Sequence, residues 1–466
     1  MTPRMTAIDL HNRALPLIQT DPRLAYQMLT SAVMVDPTFS LGWNLLGVTL
    51  ADTEALPASI AAYRRALALP DGPNPHDMNP ATRFRALLQI GHRLTNNLVV
   101  SWETLDEAER FIDQALAMEG DFDTQTRAFC HTNMSLIHAH RGHKDKEMAS
   151  ATKGFELHQD PQTEMGLAFA CLYAGEFMRG LKHFDARFPY KLTSYQHLPW
   201  PRWDGGHVDK LFVLSEQGLG DALSFSRFIP AAAHRVGEIE FPVQPELVKL
   251  LTGALKKHKN VRIVPQSGII EHADAWCPIF SLPLALDMTD REFEDSPNLP
   301  FEITPVEDLS WKRRDARLNI AIAWAGAPSN GIDVHRTIKF VEFLALCRIP
   351  NAAIYSVQVG SSAKELHEKG GTALVKDLAP WIHDARDTAG ILAEMDVVVT
   401  AESFVGHLAG AIGKRCILLC SRFGRDWRSG PYRDTALWYP KHEIYRQGDD
   451  AKWGPVFDRV VGELSK

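Results

Sequence analysis

Apolar positions in the first 190 residues recur three and four apart, with small residues among them at a fixed offset. Ala25, Leu29, Ala32 and Pro37 align with Ser59, Tyr63, Ala66 and Leu69–Pro70 at a shift of 34 residues, and Trp43, Leu46 and Gly47 lie between them. In such a unit the small residues let two antiparallel helices approach, the aromatic fills the gap, and proline stops the second helix. The same roles recur at Ala108, Ile112, Ala115 and Gly120, more loosely at Leu136, Ala149 and Pro161, and last at Gly180, Phe184 and Arg187. The pattern predicts about five helical pairs over residues 6–190, interrupted by an insertion loop from Pro70 to Pro80.

The period changes after the Pro-, Trp- and Gly-rich stretch HLPWPRWDGG. Short apolar runs (LFVLSE, EIEFPV, VRIVP) then alternate with helical segments, and a second series (NIAIAWAG, AIYSVQVG, ALVKDL, VVVTA, CILLCS) follows the polar stretch Asp287–Arg313. Strand–helix alternation implies parallel sheets. The expected organisation is a helical array at 1–190, a linker at 191–206, and two Rossmann-like domains at 207–308 and 309–466 with a cleft between them.

Three turns carry candidate chemistry. LFVLSEQGLGDALSFSRFIP reads as a strand, a turn at Gly218 and Gly220 where glycine permits positive φ and close ligand approach, and a helix opening at Asp221. Asp221 there either caps the helix or points into the cleft. WAGAPSNGIDVHRTIKF follows a strand with Gly326, Asn330 and Gly331, then His335, Arg336, Thr337 and Lys339, a cationic group suited to a diphosphate. VVVTAESFVGHLAGAIGK sets Glu402 and Ser403 at the end of a strand, where helix amides favour phosphate and a carboxylate can hold sugar hydroxyls. His407, one turn into that helix, is expected to be a packed residue rather than a base.

The 34-residue period is that of the tetratricopeptide repeat, whose concave groove binds polypeptide, buttresses a neighbour or dimerises. A net charge of −7 offers no basic field for nucleic acid. The six cysteines form no CxxC pair and no metal-spaced cluster, which fits a reduced, cytoplasmic setting without a bound metal. Neither a secretory signal pattern nor an apolar run long enough for a transmembrane segment is expected.

Taken together, EQGLGDALSFSRFIP, AWAG…HRTIKF, VVVTAESFVGHLAGAIGK and the tail WRSGPYRDTALWYP…YRQ resemble bacterial tetratricopeptide-repeat glycosyltransferases. Their catalytic region is similar to that of the ADP-heptose:lipopolysaccharide heptosyltransferases, and their architecture to the O-GlcNAc transferases and repeat-containing flagellin glycosyltransferases. The resemblance implies a GT-B fold and inverting, metal-independent transfer from a nucleotide sugar, with no further cofactor. It makes the first Rossmann-like domain the acceptor side and the second the nucleotide-sugar side.

By position, Gly218, Gly220 and Asp221 match the family's glycine turn, with Asp221 the candidate base and Glu216 able to share that role. Arg336 with Lys339 and the amides near Ser403 would hold the diphosphate, and Glu402, followed by Ser403 and His407, the donor sugar. The family usually has Asp-Thr where this chain has Glu402-Ser403, and the longer side chain moves the carboxylate by over ~1 Å, which implies a donor other than heptose. Fusion to repeats points to a protein acceptor, flagellin by family likeness, with homo-oligomerisation through the repeats a further expectation. A glycan or lipopolysaccharide transferase and a non-catalytic scaffold are the alternatives.

Overall fold

The computed structural model describes every residue except 1, 53–54, 71–75, 97–99, 121, 189–197, 267–271, 327–335, 425, 431–432 and 434. Residues 71–75 of the insertion loop, the first part of the linker, and Asn330, Gly331 and His335 of the basic loop therefore lie outside the described residues. The chain divides into two compact units, Met1–Ala170 and Cys171–Lys466.

The first unit is an array of helical hairpins. Its helices are α1 (Pro3–Ala14), α2 (Pro22–Val35), α3 (Ser40–Asp52), α4 (Leu56–Ala68), α5 (Pro80–Thr95), α6 (Trp102–Leu116), α7 (Thr124–Arg141) and α8 (Lys144–Leu157), with α9 (Pro161–Ala174) running up to and past the division. Starts are set locally: Thr2, Asp21, Asn79, Ser101 and Asp123 each accept a first-turn amide, and proline opens α1, α2 and α5. The positions aligned at 34 residues, Ala25/Ser59, Leu29/Tyr63 and Ala32/Ala66, are all essentially buried.

Glycine marks the crossings: a Cβ on Gly47 would stand 3.0 Å from the Tyr63 ring, and one on Gly91 only 2.4 Å from Ile112 Cγ1. In the degenerate middle repeat the alignment through Ala149 fails. Ala149 is exposed, and the crossing is made instead by Ala151 and Gly154, the latter against the Ala128 carbonyl. Gly91→Val should therefore lower the stability of the array by about 1–3 kcal/mol, because overpacking a helix crossing exceeds the roughly 0.3–0.5 kcal/mol of helix propensity recovered on replacing glycine by valine. Urea unfolding followed by circular dichroism measures it.

The second unit begins with the end of α9 and with α10 (Phe177–Phe184), whose crossing is tightened by Gly180 against Leu172. These last helical residues pack on the α/β region. Phe177 meets Phe293 and Trp427, Phe184 meets Phe280, and Arg187 is completely buried. The described end of the expected linker is packed too, with Trp203 buried and its amide donating to Trp276 O.

Two wholly parallel sheets follow. In the first, β1 (Lys210–Leu214), β2 (Glu238–Val243), β3 (Val261–Pro265) and β4 (Ala275–Pro278) lie in the order β3-β2-β1-β4. In the second, β5 (Leu318–Ala323), β6 (Ala352–Ser356), β7 (Val375–Asp377), β8 (Val397–Ala401), β9 (Cys416–Cys420) and β10 (His442–Arg446) lie in the order β10-β9-β8-β5-β6-β7. Each sheet thus reverses direction beside its first strand, the place where open α/β sheets leave a crevice at their carboxyl ends. Burial on both faces explains the unbroken apolar runs: β1 is buried from Leu211 on, and β8 and β9 throughout. The chain is a tetratricopeptide-type helical array followed by a GT-B arrangement of two Rossmann-like halves.

Candidate functional site

The carboxyl ends of β1 and of β5, β6 and β8 converge on one cavity of about 360 Å³. Gly218, Leu219, Gly220 and Asp221 form one wall. Ala325, Gly326, Arg336, residues 357–361, Glu402–Val405, His407 and Arg428 form the rest.

On the first wall, α11 (Leu219–Phe225) starts from Gly218. The strained residue of the turn is Gln217, with φ 62°, whereas Gly218 has φ −92°, so positive φ at the glycines is not what the turn needs. What Gly220 supplies is room: a Cβ there would lie 2.5 Å from His407 Cδ2 of the opposite half. Asp221 does both things expected of it. Its Oδ2 accepts the Gly218 amide at 3.1 Å, and its Oδ1 accepts from Arg428 Nη1 at 2.8 Å within the cavity wall.

On the second wall, α12 (Phe404–Ala411) opens at Ser403, whose hydroxyl is engaged with Thr400 Oγ1 at 3.1 Å rather than with the helix amides. The first-turn N–H groups therefore have no side-chain cap and border the cavity at Phe404 and Val405. Glu402 is buried; Ser429 Oγ donates to its Oε1, while its Oε2 makes no hydrogen bond among the described residues. Burial, then the neighbouring Asp426 carboxylate, raises its pKa against the opposing Ser429 hydrogen bond. Arg336 borders the same space with its Nε unpartnered among the described residues.

Two expected residues are elsewhere. Glu216 is not on the cavity: the buried Arg187 grips both its oxygens at 2.7 Å and the Phe280 amide donates a third bond, so the expected second acid is held in a buried ion pair rather than beside Asp221 at the cavity. Lys339 precedes the short helix Phe340–Phe343 and is exposed outside the cavity lining, because the chain leaves the cavity after Arg336 to bury Ile338 and Phe340. Of the basic residues expected from this loop, Arg336 is the one that borders the cavity among the described residues.

Three further residues carried no role in the sequence reading. Buried Gln358 at the end of β6 accepts the Trp324 and Ala325 amides at 2.9 and 3.0 Å and donates to Ala325 O, pinning the floor between β5 and β6. Asp426 and Arg428 belong to the segment after β9. The tail motif WRSGPYRD contains Arg428, whereas Asp426 lies just outside it.

Beside Glu402 and His407 lies a small pocket of about 20 Å³, also bordered by Asp426, Tyr439 and His442, large enough for one water. Burial, then Arg428, drives the His407 pKa down to about 4, and burial, then His407, drives that of His442 down to about 3. Both rings are neutral when folded but take protons when unfolded from pH 6.5 downward, so their contribution to stability is full above pH 6.5 and is lost as pH falls toward about 4. Glu402, with its raised pKa, acts in the opposite sense, one carboxyl against two imidazoles. The melting temperature should therefore decline between pH 6.5 and 4.5, which a calorimetric pH series checks.

Among the described residues no helix is long and apolar enough to cross a membrane, and no group of three His, Cys, Asp or Glu side chains is placed to hold a metal ion. No protein-family model matches the chain. It is 21% identical to Protein FlbA of Caulobacter vibrioides, over 97% of this chain and 89% of that protein. Among solved structures it is similar to the Escherichia coli ADP-heptose lipopolysaccharide heptosyltransferase II, with 14% identity over 55% of this chain and 98% of that one at a TM-score of 0.38. It is also similar to YrrB, a TPR protein with an unusual peptide-binding site, with 14% identity over 41% of this chain and 89% of that one at a TM-score of 0.30.

Proposed function

We propose that the α/β unit is an inverting, metal-independent glycosyltransferase that moves a sugar from a nucleotide-activated donor to a hydroxyl of a protein acceptor recruited by the repeats, with flagellin the first acceptor to test. The observation that carries this reading is the single cavity between the two carboxyl edges. Asp221 stands on one wall, and Arg336, uncapped helix amides and Glu402 stand on the other. In the transfer the acceptor oxygen bonds to the anomeric carbon as the bond to the diphosphate oxygen breaks, and the hydroxyl proton passes to Asp221. Charge developing on the leaving diphosphate falls to Arg336 and the amides of Phe404 and Val405. Glu402, on the same wall, is the residue assigned to the donor sugar.

Calorimetry with UDP-, GDP-, CMP-, dTDP- and ADP-sugars, followed by mass spectrometry of purified flagellin incubated with this protein and the bound donor, tests the reading. The expected result is saturable binding of one nucleotide class and a mass increase of one sugar on flagellin. Transfer to lipopolysaccharide instead would move the acceptor to a glycan. No binding across the panel would make the α/β unit a scaffold.

A further inference from the structure

The segment after β9 leaves the second half and is built into the first. Trp427 and Trp438 join an aromatic cluster with Phe225 and Phe293, with centroids 5.0–6.4 Å apart across the two halves, and Trp438 Nε1 donates to Phe293 O at 2.8 Å. Within this segment Asp426 and Arg428 are buried. Asp426 holds the Arg428 guanidinium by a fork, Oδ1 to Nε at 2.8 Å and Oδ2 to Nη2 at 3.0 Å, and the Arg428 amide also donates to Asp426 Oδ1 at 2.9 Å. The remaining edge of Arg428 points across the cleft, with Nη1 2.8 Å from Asp221 Oδ1 and 3.3 Å from Ser224 Oγ.

We propose that Arg428, fixed by Asp426, is the positioning residue for Asp221, holding that carboxylate of the first half against the donor cavity built by the second. This inference rests on the proposed transferase reading, in which Asp221 takes the acceptor proton. The geometry separates two jobs. Two guanidinium bonds and one backbone amide donated to Asp426 fix the orientation of the fork, and Nη1 is thereby directed at Asp221. Asp221 is thereby fixed twice, by Arg428 at Oδ1 and by its own turn amide at Oδ2, and its remaining lone pairs are those that can meet an acceptor hydroxyl.

A residue that only stabilised the fold would leave kcat unchanged in every variant that stays folded. A residue that positions Asp221 would lower kcat while donor affinity is kept.

The variants are Arg428→Lys, which keeps the charge but not the fork, and the double variant Asp426→Asn/Arg428→Gln, which leaves no unpaired buried carboxylate if the single Arg428→Gln fails to fold. In the full-length protein, 13C NMR of aspartate carboxyls, with Asp221 assigned by its loss in Asp221→Asn, reads the Asp221 carboxyl signal. In the double variant that signal should move, because the carboxylate loses the contact at Oδ1 that fixes it. In Arg428→Lys, kcat should fall by about tenfold or more with the affinity for the matching nucleoside diphosphate within threefold. An unmoved Asp221 signal in the double variant, or full kcat in Arg428→Lys, overturns the proposal. Should the unaltered protein turn over no donor, the transferase reading fails while the carboxyl signal still decides whether Arg428 holds Asp221.

Discussion

Asp221→Asn is expected to lower sugar transfer by about 10²–10⁴-fold, the range attributable to a positioned general base. The substitution is nearly isosteric. The Asn oxygen can still accept the Gly218 amide or the Arg428 N–H, and Arg428 retains its full pairing with Asp426. The melting temperature and the affinity for the nucleoside diphosphate should therefore change little, because the diphosphate contacts assigned to Arg336 and the α12 amides lie on the other wall. Single-turnover assays with saturating donor isolate the chemical step. Turnover within a few-fold of the unaltered protein would remove Asp221 from the mechanism and leave it as a capping residue.

The contrast with Glu216 shows why sequence could bring two acids to the site but not choose between them. Both lie on one short stretch at the end of β1, and spacing alone gives each a route to the cleft. What separates them is a long-range partner: Arg187, 29 positions earlier in the chain, takes Glu216 inward, and Arg428, 207 positions later, meets Asp221 at the cavity. Neither pairing leaves a trace in local pattern. The elements show the same division. Strands buried on both faces, such as β8 and β9, were plain as apolar runs, and the edge strands β3 and β7 were read too, whereas the edge strands β4 and β10 escaped. β4 is four residues ending in proline, and β10 (HEIYR) is only half-buried after its first residue.

The repeats were legible where glycine or alanine must sit at a crossing, and lost register at Ala149, where two small residues lie close enough in sequence to exchange roles. Turn chemistry was the least transparent. Gly218 and Gly220 suggested a left-handed backbone, but the structure spends Gly220 on the approach of His407 and places the positive φ at Gln217. Seven of the nine proposed site residues border one cavity because they sit at strand ends that topology must bring together.

Arg187→Ala should destabilise the second unit by about 3–5 kcal/mol, the usual result of stripping the partner from a buried charge. Arg187 and Glu216 have side-chain exposures of 1% and 2%, so water cannot replace the lost fork. The guanidinium is further enclosed by Phe184 and Phe188 at 4.7 and 4.5 Å, and also binds Asp185 at 2.7 Å and Phe184 O at 3.0 Å. The pair joins the last helical residues to the residue before Gln217, so its loss reaches the strained turn that carries Gly218 and Asp221.

Two effects are separable by a second variant. Arg187→Met/Glu216→Leu removes both charges while keeping apolar bulk among the same phenylalanines, and should recover most of the stability, since a desolvated pair and a packed apolar replacement are often close in free energy. If the double variant is as stable as the unaltered protein yet transfers sugar more slowly, the ion pair serves the geometry of the turn rather than the fold. If the single variant unfolds in urea with a midpoint unchanged, the Arg187–Glu216 contact is not a buried pair in solution, and the anchoring of the Asp221 turn to α10 falls with it.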